Sequence, residues 1–408
     1  GHVLPAAREI EEEIRKLPEV KQIGLAGSIR RMKETVHDVD VLVSSNKPDK
    51  VIKFFTTMDD VKKVLAKGST KASIKLSGGL QVDIRVVKND AFGSALQYFT
   101  GSKEHNIELR KIAIKKGFKL SEYGLFKGRK VIAGKKEVYI YKKLGLPFIE
   151  PELREDKGEI EAAASFKLIK EKDVKGELHV HTKWSDGSDS IEEVARKGVE
   201  RGYKFLGICD HVSKVKIAHP LDGRRLLRQM KEIDKVNKKV PKITLLKGAE
   251  VDIDKRGKLV LSDSVLKKLD FVVASIHSGF KSSEKDMTDR IVKAIENPYV
   301  NIVGHPTGRL LQKRKPYSVN FYRLFEAAKK NNVALEINAF PNRLDLNDVN
   351  ARAAKESGIK LIIGTDAHSK EHLDFMELGV GVARRAWCSS KDVVNCLSLD
   401  GLRKWLNK

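Results

Sequence analysis

The sequence has few cysteines and no long apolar run. Its 408 residues include three cysteines, at positions 209, 388 and 396, and no Cys-x-x-Cys pair. This usage excludes a disulfide-stapled secreted scaffold and predicts a reducing, cytoplasmic compartment. No apolar run approaches the length that spans a membrane and no signal peptide is visible, so we expect no membrane partner.

The chain is strongly basic, with a formal net charge of +24. Residues 1–150 hold 30 Lys and Arg against 18 Asp and Glu, and residues 101–150 alone hold 13 against 5. Such a surface attracts a polyanion, and nucleic acid is the first candidate. The alternative is lysines that only keep the chain in solution. With 41% hydrophobic residues, a chain of this length is expected to form two or three domains with real cores.

The first half is organised around a Gly-Ser turn that is followed by an Asp-x-Asp pair. Gly27-Ser28 interrupts one apolar run, and Asp38 and Asp40 stand at the entrance of a second. Residues two apart in a strand face the same side, so the two carboxylates lie side by side, which is costly unless cations neutralise them. Two divalent ions held by carboxylates serve phosphoryl or nucleotidyl transfer. The alternative is a solvated turn with two surface aspartates.

A third carboxylate favours the metal interpretation. Asp83 is the lone acid in the apolar run 80–87. Burying an unpaired Asp costs folding free energy. An Asp that is the third ligand of a pair of metal ions does not carry this cost unpaired, which accounts for its position. The Gly-Ser turn can present backbone N–H groups and a hydroxyl to a phosphate, with Arg30 and Arg31 beside it.

These motifs resemble the palm and thumb of a family X DNA polymerase. The resemblance covers roughly residues 1–145 and rests on Gly27-Ser-x-Arg-Arg31, Asp38-x-Asp40, Asp83-Ile-Arg85 and Tyr98-Phe-Thr-Gly-Ser102. It implies a palm over 1–100 and a thumb over 101–146. The helix-hairpin-helix repeats and the 8-kDa N-terminal module that are usual in this family are expected to be missing from this chain.

The resemblance also implies roles for individual side chains. Asp38, Asp40 and Asp83 would be catalytic and would hold two Mg²⁺ or Mn²⁺ ions. The residues implied in nucleotide binding are Gly27, Ser28, Arg31, Tyr98, Phe99, Gly101 and Asn106, and those implied in DNA binding are Arg85 and Arg110. Val36, His37 and Lys103 depart from the family pattern, which bears on nucleotide affinity and fidelity.

The hydrophobic pattern predicts the elements around these motifs. Helices are predicted over 6–17, 48–56, 57–66, 91–99 and 104–116, a hairpin over 73–76 and 81–87, and strand and turn over 118–126. Residues 147–175 contain prolines and a charged run, and they are predicted to be a linker.

Beyond the linker, apolar strands alternate with helices, which is the rhythm of a barrel. Strands are predicted to end near 181, 210, 250, 277, 305, 338 and 366, with helices over 190–201, 222–238, 286–296, 318–331, 347–357, 371–377 and 391–406. In a parallel barrel all strand C-termini open on one face, so the polar residues at these ends converge. They are His179, His181, Asp186, Asp210, His211, Glu250, His277, His305, Asp366 and His368.

Six of the eleven histidines stand at such strand ends. A single one would more often be a core or capping residue, but six together with Asp and Glu favour a metal site. Imidazole combined with carboxylate suits Zn²⁺, Mn²⁺ or Fe²⁺.

The second half resembles a PHP (polymerase and histidinol phosphatase) domain over residues 176–408, through motifs such as His179-x-His181, Gly304-His305-Pro306 and Gly364-Thr-Asp366-Ala-His368. The resemblance implies a distorted (βα)7 barrel with three divalent ions. One ion would take His179, His181, Glu250 and Asp366, a second would share Glu250 and take His277 and His305, and a third would take Asp186, His211 and His368.

Together the two resemblances predict an α/β multidomain DNA repair polymerase. It would extend 3′ ends of gapped or primer–template DNA with dNTPs, as a monomer. Its PHP domain would hydrolyse DNA phosphoesters as a 3′-5′ exonuclease, 3′-phosphatase or AP endonuclease. Two alternatives stay open: a phosphoesterase whose palm mainly binds DNA, and a histidinol-phosphatase-like hydrolase fused to an RNA nucleotidyltransferase. Arg224, Arg225 and the run 313–315 could seat the DNA backbone or be a solvated face.

Overall fold

A computed structural model of the chain describes residues 1, 3–162, 167–213 and 218–407. It divides into two compact units, residues 1–166 and 167–408. The boundary falls inside the predicted linker 147–175, of which residues 163–166 lie outside the described part. The finer division into palm, thumb, linker and PHP domain stays a prediction. Within the described residues, no helix is both long and apolar enough to cross a membrane.

The first unit is built on a mixed five-stranded sheet of order β1-β2-β5-β4-β3, in which β2 and β5 are parallel and the other neighbours antiparallel. A three-stranded antiparallel sheet follows it. The strands are β1 (Gln22–Leu25), β2 (Asp38–Ser44), β3 (Val61–Lys67), β4 (Lys71–Leu76), β5 (Gln81–Val87), β6 (Lys119–Ser121), β7 (Gly124–Lys127) and β8 (Lys130–Ala133). The helices are α1 (Val3–Arg15), α2 (Gly27–Arg30), α3 (Pro48–Thr56), α4 (Phe92–Thr100), α5 (Lys103–Lys115), α6 (Glu137–Lys143) and α7 (Glu159–Ala162).

Side chains alternate between the two faces of the sheet along β2 and β5, and this alternation decides which face carries the aspartates of the predicted site. Val39, Val41, Val82 and Ile84 are buried in one core, together with apolar side chains of α1 and α3. The residues between them in β2 and β5 therefore face the opposite side of the sheet. Asp40 and Asp83 are two of those intervening residues, and Asp38, two residues before Asp40, faces the same side.

The prediction of a helix over 57–66 is wrong. Val61–Lys67 form the edge strand β3, which pairs antiparallel with β4. The spacing of Val61, Val64 and Leu65 imitates an apolar helix face, but the last two are 40% and 44% exposed, so there is no face for a helix to bury. Hydrogen bonds to β4 decide the conformation instead. The other predicted elements of this unit are present, with ends shifted by up to three residues.

The second unit is a nearly closed barrel of seven parallel strands, in the order β16-β15-β14-β13-β12-β10-β9. A parallel bridge joins Val180, at the end of the first strand, to Ala367, three residues beyond the last strand. This confirms the predicted fold class. The strands are β9 (Gly176–Val180), β10 (Phe205–Ile208), β11 (His211–Val212, which pairs with β12), β12 (Thr244–Asp252), β13 (Phe271–Ser275), β14 (Ile302–Val303), β15 (Ala334–Asn338) and β16 (Leu361–Gly364).

Helices follow most strands and pack around the barrel. They are α8 (Ile191–Glu200), α9 (Gly223–Lys239), α10 (Asp263–Leu266), α11 (Glu284–Ile295), α12 (Phe321–Lys330), α13 (Asp348–Glu356), α14 (Met376–Arg385) and α15 (Leu399–Leu406). The last two predicted helices differ from the structure. Residues 370–375 form a 3-10 turn that leads into α14, and the run 391–406 is helical as α15 only from 399, after a 3-10 turn at 394–396. The Ser398 hydroxyl accepts from the Gly401 N–H and so begins α15 there.

Candidate active site and candidate metal centre

Three carboxylates meet on one face of the first sheet. Asp40 lies directly opposite Asp83 in the parallel pairing of β2 with β5, and Asp38 precedes Asp40 by two residues. Burial, and then the charges of Asp38 and Asp83, raise the pKa of Asp40 to about 6. Burial also raises the pKa of Asp83. Carboxylates crowded in this way are relieved by divalent cations, so this donor set fits hard ions such as Mg²⁺.

The Gly-Ser turn lies against these carboxylates. Gly27 has a positive φ of +64°, and a Cβ built on it would lie 2.2 Å from Oδ2 of Asp40. Glycine is therefore required here both for the backbone conformation and for the close approach. The role of Gly27 and of the partly exposed Ser28 in phosphate binding stays a prediction.

Two arginines connect the turn to the end of α4 and to two glutamates further along the chain. The Arg31 Nη1 donates to the Thr100 carbonyl at 2.5 Å, and its Nε lies 3.0 Å from Oε1 of Glu155. Arg30 donates from Nη1 to Oε1 of Glu137 at 3.0 Å. Part of each guanidinium is thus used within the unit, and Glu137 and Glu155 are partners that the sequence analysis missed.

The aromatic pair of the predicted nucleotide site is also in place. The Tyr98 and Phe99 rings meet edge to face, with centroids 5.1 Å apart, and the Arg85 guanidinium lies 4.5 Å from the Phe99 centroid. Asn106 donates to the Tyr98 carbonyl at 2.7 Å and accepts from Gln97 at 2.7 Å. Each end of its amide therefore has one partner, and one N–H and one lone pair of the oxygen remain for a contact with a base. Gly101, beside Arg31, and the partly exposed Arg110 complete the predicted set.

In the second unit, the imidazoles and carboxylates at the strand ends converge into one largely buried cluster. The donor atoms form three sets, and the atoms within each set lie within 4.8 Å of one another. The sets are His181, Asp186, His211 and His368; His179, His181 and Asp366; and His211, Glu250 and His277. The convergence expected from the strand ends of a parallel barrel is thus what the structure contains.

Glu250 stands at the middle of this cluster. Its Oε1 lies 2.9 Å from Nε2 of His305 and 3.3 Å from Nε2 of His277, and its Oε2 lies 2.8 Å from Nδ1 of His211. Burial acts to raise the pKa of Glu250, but the imidazoles of His277, His211 and His179 outweigh it and hold that pKa well below its usual range. The carboxylate is therefore ionised and able to bridge cations.

The cluster fits divalent metal ions. Buried donor atoms have no hydrogen-bond partner within the described residues at Nε2 of His179, both ring nitrogens of His181, Oε2 of Glu250, Nε2 of His277 and Nδ1 of His305. Burial, and then the neighbouring imidazoles, lower the pKa of His181 to about 3, so its ring is neutral, which is the form that binds metals. An ion with tetrahedral bonds of about 2.1 Å holds its ligand atoms about 3.4 Å apart. Nε2 of His368 lies 3.5 Å from Oδ2 of Asp186, which is close to that distance between two ligand atoms.

These sets differ from the implied ligand sets at four residues. His181 joins two sets, and His211 joins Glu250 and His277 as well as Asp186 and His368. Glu250 is not grouped with His179, His181 and Asp366, and His305 is outside the three sets although it contacts Glu250. The assignment of ligands to individual ions stays a prediction.

Two carboxylates that the sequence analysis missed orient the imidazoles. Oε1 of Glu336 lies 2.6 Å from Nδ1 of His179, and Oδ1 of Asp252 lies 2.7 Å from Nδ1 of His277. Such partners fix which ring nitrogen faces a metal. The signal was present in the sequence, because each is an acid within an apolar strand, the same signal that identified Asp83. Asp210, a strand-end residue, instead accepts bonds from Thr182 and Ser185 and so holds a loop.

Replacing Glu336 by Gln should weaken divalent-metal binding in the barrel by about ten- to 100-fold, because the His179 ring loses the carboxylate that fixes its orientation. The measurement is competition for Mn²⁺ or Zn²⁺ against a chromophoric chelator. Glu326→Gln removes the same charge from the exposed face of α12 and should leave affinity unchanged. Equal affinity in Glu336→Gln and wild type would show that this bond does not support metal binding.

Two family models match the chain. A DNA polymerase beta thumb matches residues 95–155, and a PHP domain matches residues 177–340. The fold, the two clusters and these matches therefore define a protein with a three-aspartate site, a polymerase beta-type thumb and a PHP barrel.

Over 415 aligned residues, the chain is 40% identical to the DNA polymerase/3′-5′ exonuclease PolX of Bacillus subtilis (strain 168). The alignment covers 100% of this chain and 72% of that protein. The chain belongs to the PolX family. It is also 31% identical over 230 residues to a "probable phosphatase" of Thermoanaerobacter sp. (strain X514), covering 54% of this chain and 89% of that one. A solved ternary P/T complex of Leishmania infantum polymerase beta aligns with 37% of this chain and 74% of that chain, at 24% identity and a TM-score of 0.33.

Proposed function

We propose that this chain is a DNA repair polymerase that extends 3′ ends and whose PHP domain removes nucleotides from 3′ ends by phosphoester hydrolysis. Membership of the PolX family supports both activities. The single observation that carries the polymerase assignment is the pairing of Asp40 with Asp83, with Gly27 pressed against Asp40.

For nucleotide addition, Asp38, Asp40 and Asp83 would hold Mg²⁺ or Mn²⁺, which when bound neutralises charge on the transferred phosphoryl group and activates the attacking hydroxyl. The chain itself supplies the positioning. The Gly27-Ser28 turn orients the triphosphate through backbone N–H groups and a hydroxyl.

Aromatic and basic side chains would complete this nucleotide site. Tyr98 and Phe99 would lie against the sugar of the nucleotide. Arg85, stacked on Phe99, brings positive charge to the carboxylates. The Arg31 guanidinium, held by the Thr100 carbonyl, would bind the phosphates.

For hydrolysis, the barrel cluster would hold Zn²⁺, Mn²⁺ or Fe²⁺, which when bound lower the pKa of a water and clamp a phosphate. Glu336 and Asp252 hold two of the imidazoles in orientation, and Glu250 between them is fully buried. The same site suits 3′-phosphatase and AP-endonuclease reactions, since each breaks a phosphoester bond.

The substrates that we propose are gapped or primer–template DNA and dNTPs, bound by a monomer in the cytoplasm. The denser basic charge of residues 1–150 supports a DNA partner. The three cysteines are free thiols in the structure, which fits a reducing compartment.

The test is a gapped DNA substrate labelled at the primer 5′ end. The protein should lengthen the primer when dNTPs are present and shorten it when they are absent, and chelation should stop both reactions. Mg²⁺ or Mn²⁺ should restore lengthening, whereas Mn²⁺ or Zn²⁺ should restore shortening better than Mg²⁺, which rarely accepts several imidazoles. A protein that does neither, but cleaves histidinol phosphate, would contradict the proposal.

A further inference from the structure

The first unit contains a cavity of about 1240 Å³ that is separate from its predicted nucleotide site. The cavity lies between the end of β5 with the turn after it, the strands β7 and β8, and the helix α6. None of the described residues that line it belongs to the three-aspartate site or to the predicted nucleotide contacts. Its lining is largely apolar and includes Val86, Val87, Ala91, Phe126, Ile132 and Ala133.

The two sides of this cavity are packed firmly against each other. The Ser94 N–H, in α4, donates to the Gly134 carbonyl, just after β8, at 2.9 Å. A Cβ built on Gly134 would lie 2.5 Å from the carbonyl oxygen of Asp90, and one built on Gly93 would lie 2.4 Å from the backbone of Lys136. Only glycine permits so close an approach. The cavity is therefore formed before a ligand binds, which reduces the free energy spent on ordering it.

Large hydrophobic side chains are exposed around the cavity. Tyr123, Val131 and Tyr139 line it and are 66%, 49% and 48% exposed. They are three of the nine large hydrophobic side chains that are exposed among the described residues. Single exposed hydrophobic residues are ordinary, but several grouped at a concave surface are typical of a binding site.

The cavity is also basic. The charged residues that line it are four lysines and one aspartate, Lys88, Lys135, Lys142, Lys143 and Asp90. Asp90 pairs with Lys135 at 3.3 Å. The other three lysines are exposed, and their amines have no ion pair within the described residues. Lys142 and Lys143 follow Tyr139 by three and four residues in α6, so the three side chains are neighbours on the helix surface. A ligand that fits here combines an apolar group with negative charge.

We propose that this cavity binds an acidic segment of a partner protein, which places an aromatic or aliphatic side chain in the cavity and carboxylates at the lysines. The concave apolar surface buries the side chain, and the amines without ion pairs attract the carboxylates beside it. Single-stranded DNA is the alternative polyanion. Its bases bind by stacking on aromatic faces along an open groove, whereas most of the apolar residues here are aliphatic. This inference does not depend on either proposed enzymatic activity.

The test measures the fluorescence anisotropy of a labelled synthetic peptide, in which aspartates flank one phenylalanine on both sides, in the presence of the full chain. The chain should bind this peptide. A second peptide, with serine in place of the phenylalanine, should bind about tenfold more weakly or worse, because the apolar contact is lost.

Substitutions in the cavity should weaken binding of the phenylalanine peptide. The double substitution Lys142→Glu, Lys143→Glu places negative charge beside the aspartates and should raise the dissociation constant by at least about tenfold. Tyr139→Ala removes apolar surface and should raise it about threefold or more. These side chains are exposed, so the variants should fold.

Two matched controls separate the cavity from the rest of the surface. Lys62→Glu, Lys63→Glu makes the same change of charge on the exposed strand β3 and should bind the peptide like wild type. Tyr322→Ala removes a tyrosine that is 75% exposed on α12 and is the control for Tyr139→Ala.

Equal affinity for the two peptides would overturn the inference, because binding would then reflect charge alone. Equal weakening by the two double substitutions would overturn it for the same reason, and so would absence of binding to the wild type. If Lys142→Glu, Lys143→Glu lost affinity for a single-stranded oligonucleotide but not for the peptide, the cavity would be a nucleic-acid site instead.

Discussion

Replacing Asp40 by Ala should lower nucleotide addition at a DNA 3′ end by at least about 1000-fold. Asp40 faces Asp83 across the β2–β5 pair and stands next to Asp38, so no other described group can replace its charge among the carboxylates. The measurement is single-turnover incorporation of one dNTP into gapped DNA. Asp59→Ala removes an exposed aspartate before β3 and should retain the wild-type rate. Wild-type incorporation by Asp40→Ala would contradict the active-site assignment.

The Asp40→Ala protein should also fold normally. Because burial and like charges raise the pKa of Asp40 from 3.8 to about 6, the ionised carboxylate destabilises the metal-free fold. This cost builds up between those two pH values and is fully present above about pH 6. Without metal, the variant should therefore be at least as stable as wild type above about pH 6. A variant that is unfolded at pH 7 would make its loss of activity uninformative, and Asp40→Asn would then replace it.

Replacing His181 by Ala should give the reverse result, with 3′-end trimming lowered by at least about 100-fold and nucleotide addition kept. His181 belongs to two of the three donor sets, and neither of its ring nitrogens makes a well-aligned hydrogen bond within the described residues. Its Nε2 instead lies 3.1 Å from Oδ1 of Asp366, another member of the same donor set, which is an arrangement that suits metal binding. The measurement is release of labelled nucleotides from a 3′ end.

Asp40→Ala is the reciprocal control for this result and should trim at the wild-type rate. If it loses trimming as completely as His181→Ala does, the two-site model is wrong and one coupled site must replace it. If His181→Ala lowers thermal stability but changes no rate on DNA, the barrel metals are structural.

The barrel and its cluster could be predicted because the strand topology alone brings the cluster residues together. Once the strands are parallel, residues as distant as His179 and His368 must meet at one face, whatever the details of packing. The pairing of Asp40 with Asp83 is different. The sequence indicates two acids in strands, but their direct opposition depends on the register of β2 with β5, which only the folded sheet reveals.

Contacts made by side chains across long sequence distances were not predictable. Glu336 reaches His179 over 157 residues, and Arg343 meets Asp366 only through the course of the segment after β15. The edge strand β3 was missed for another reason. An exposed strand lacks the alternation of apolar and polar residues that identifies a strand in a sequence. The apolar residues of β3 therefore matched the spacing of a helix instead.

The closure of the barrel by Val180 and Ala367 has a consequence for the order of synthesis. On a ribosome, all three aspartates of the first unit emerge before any residue of the second, whereas the hydrolytic cluster needs both its first strand and its last. A growing chain can therefore assemble the polymerising site long before the degrading one. By the same logic, a single cut between residues 338 and 361 removes β16 together with Asp366 and His368, and leaves the three aspartates of the first unit in place.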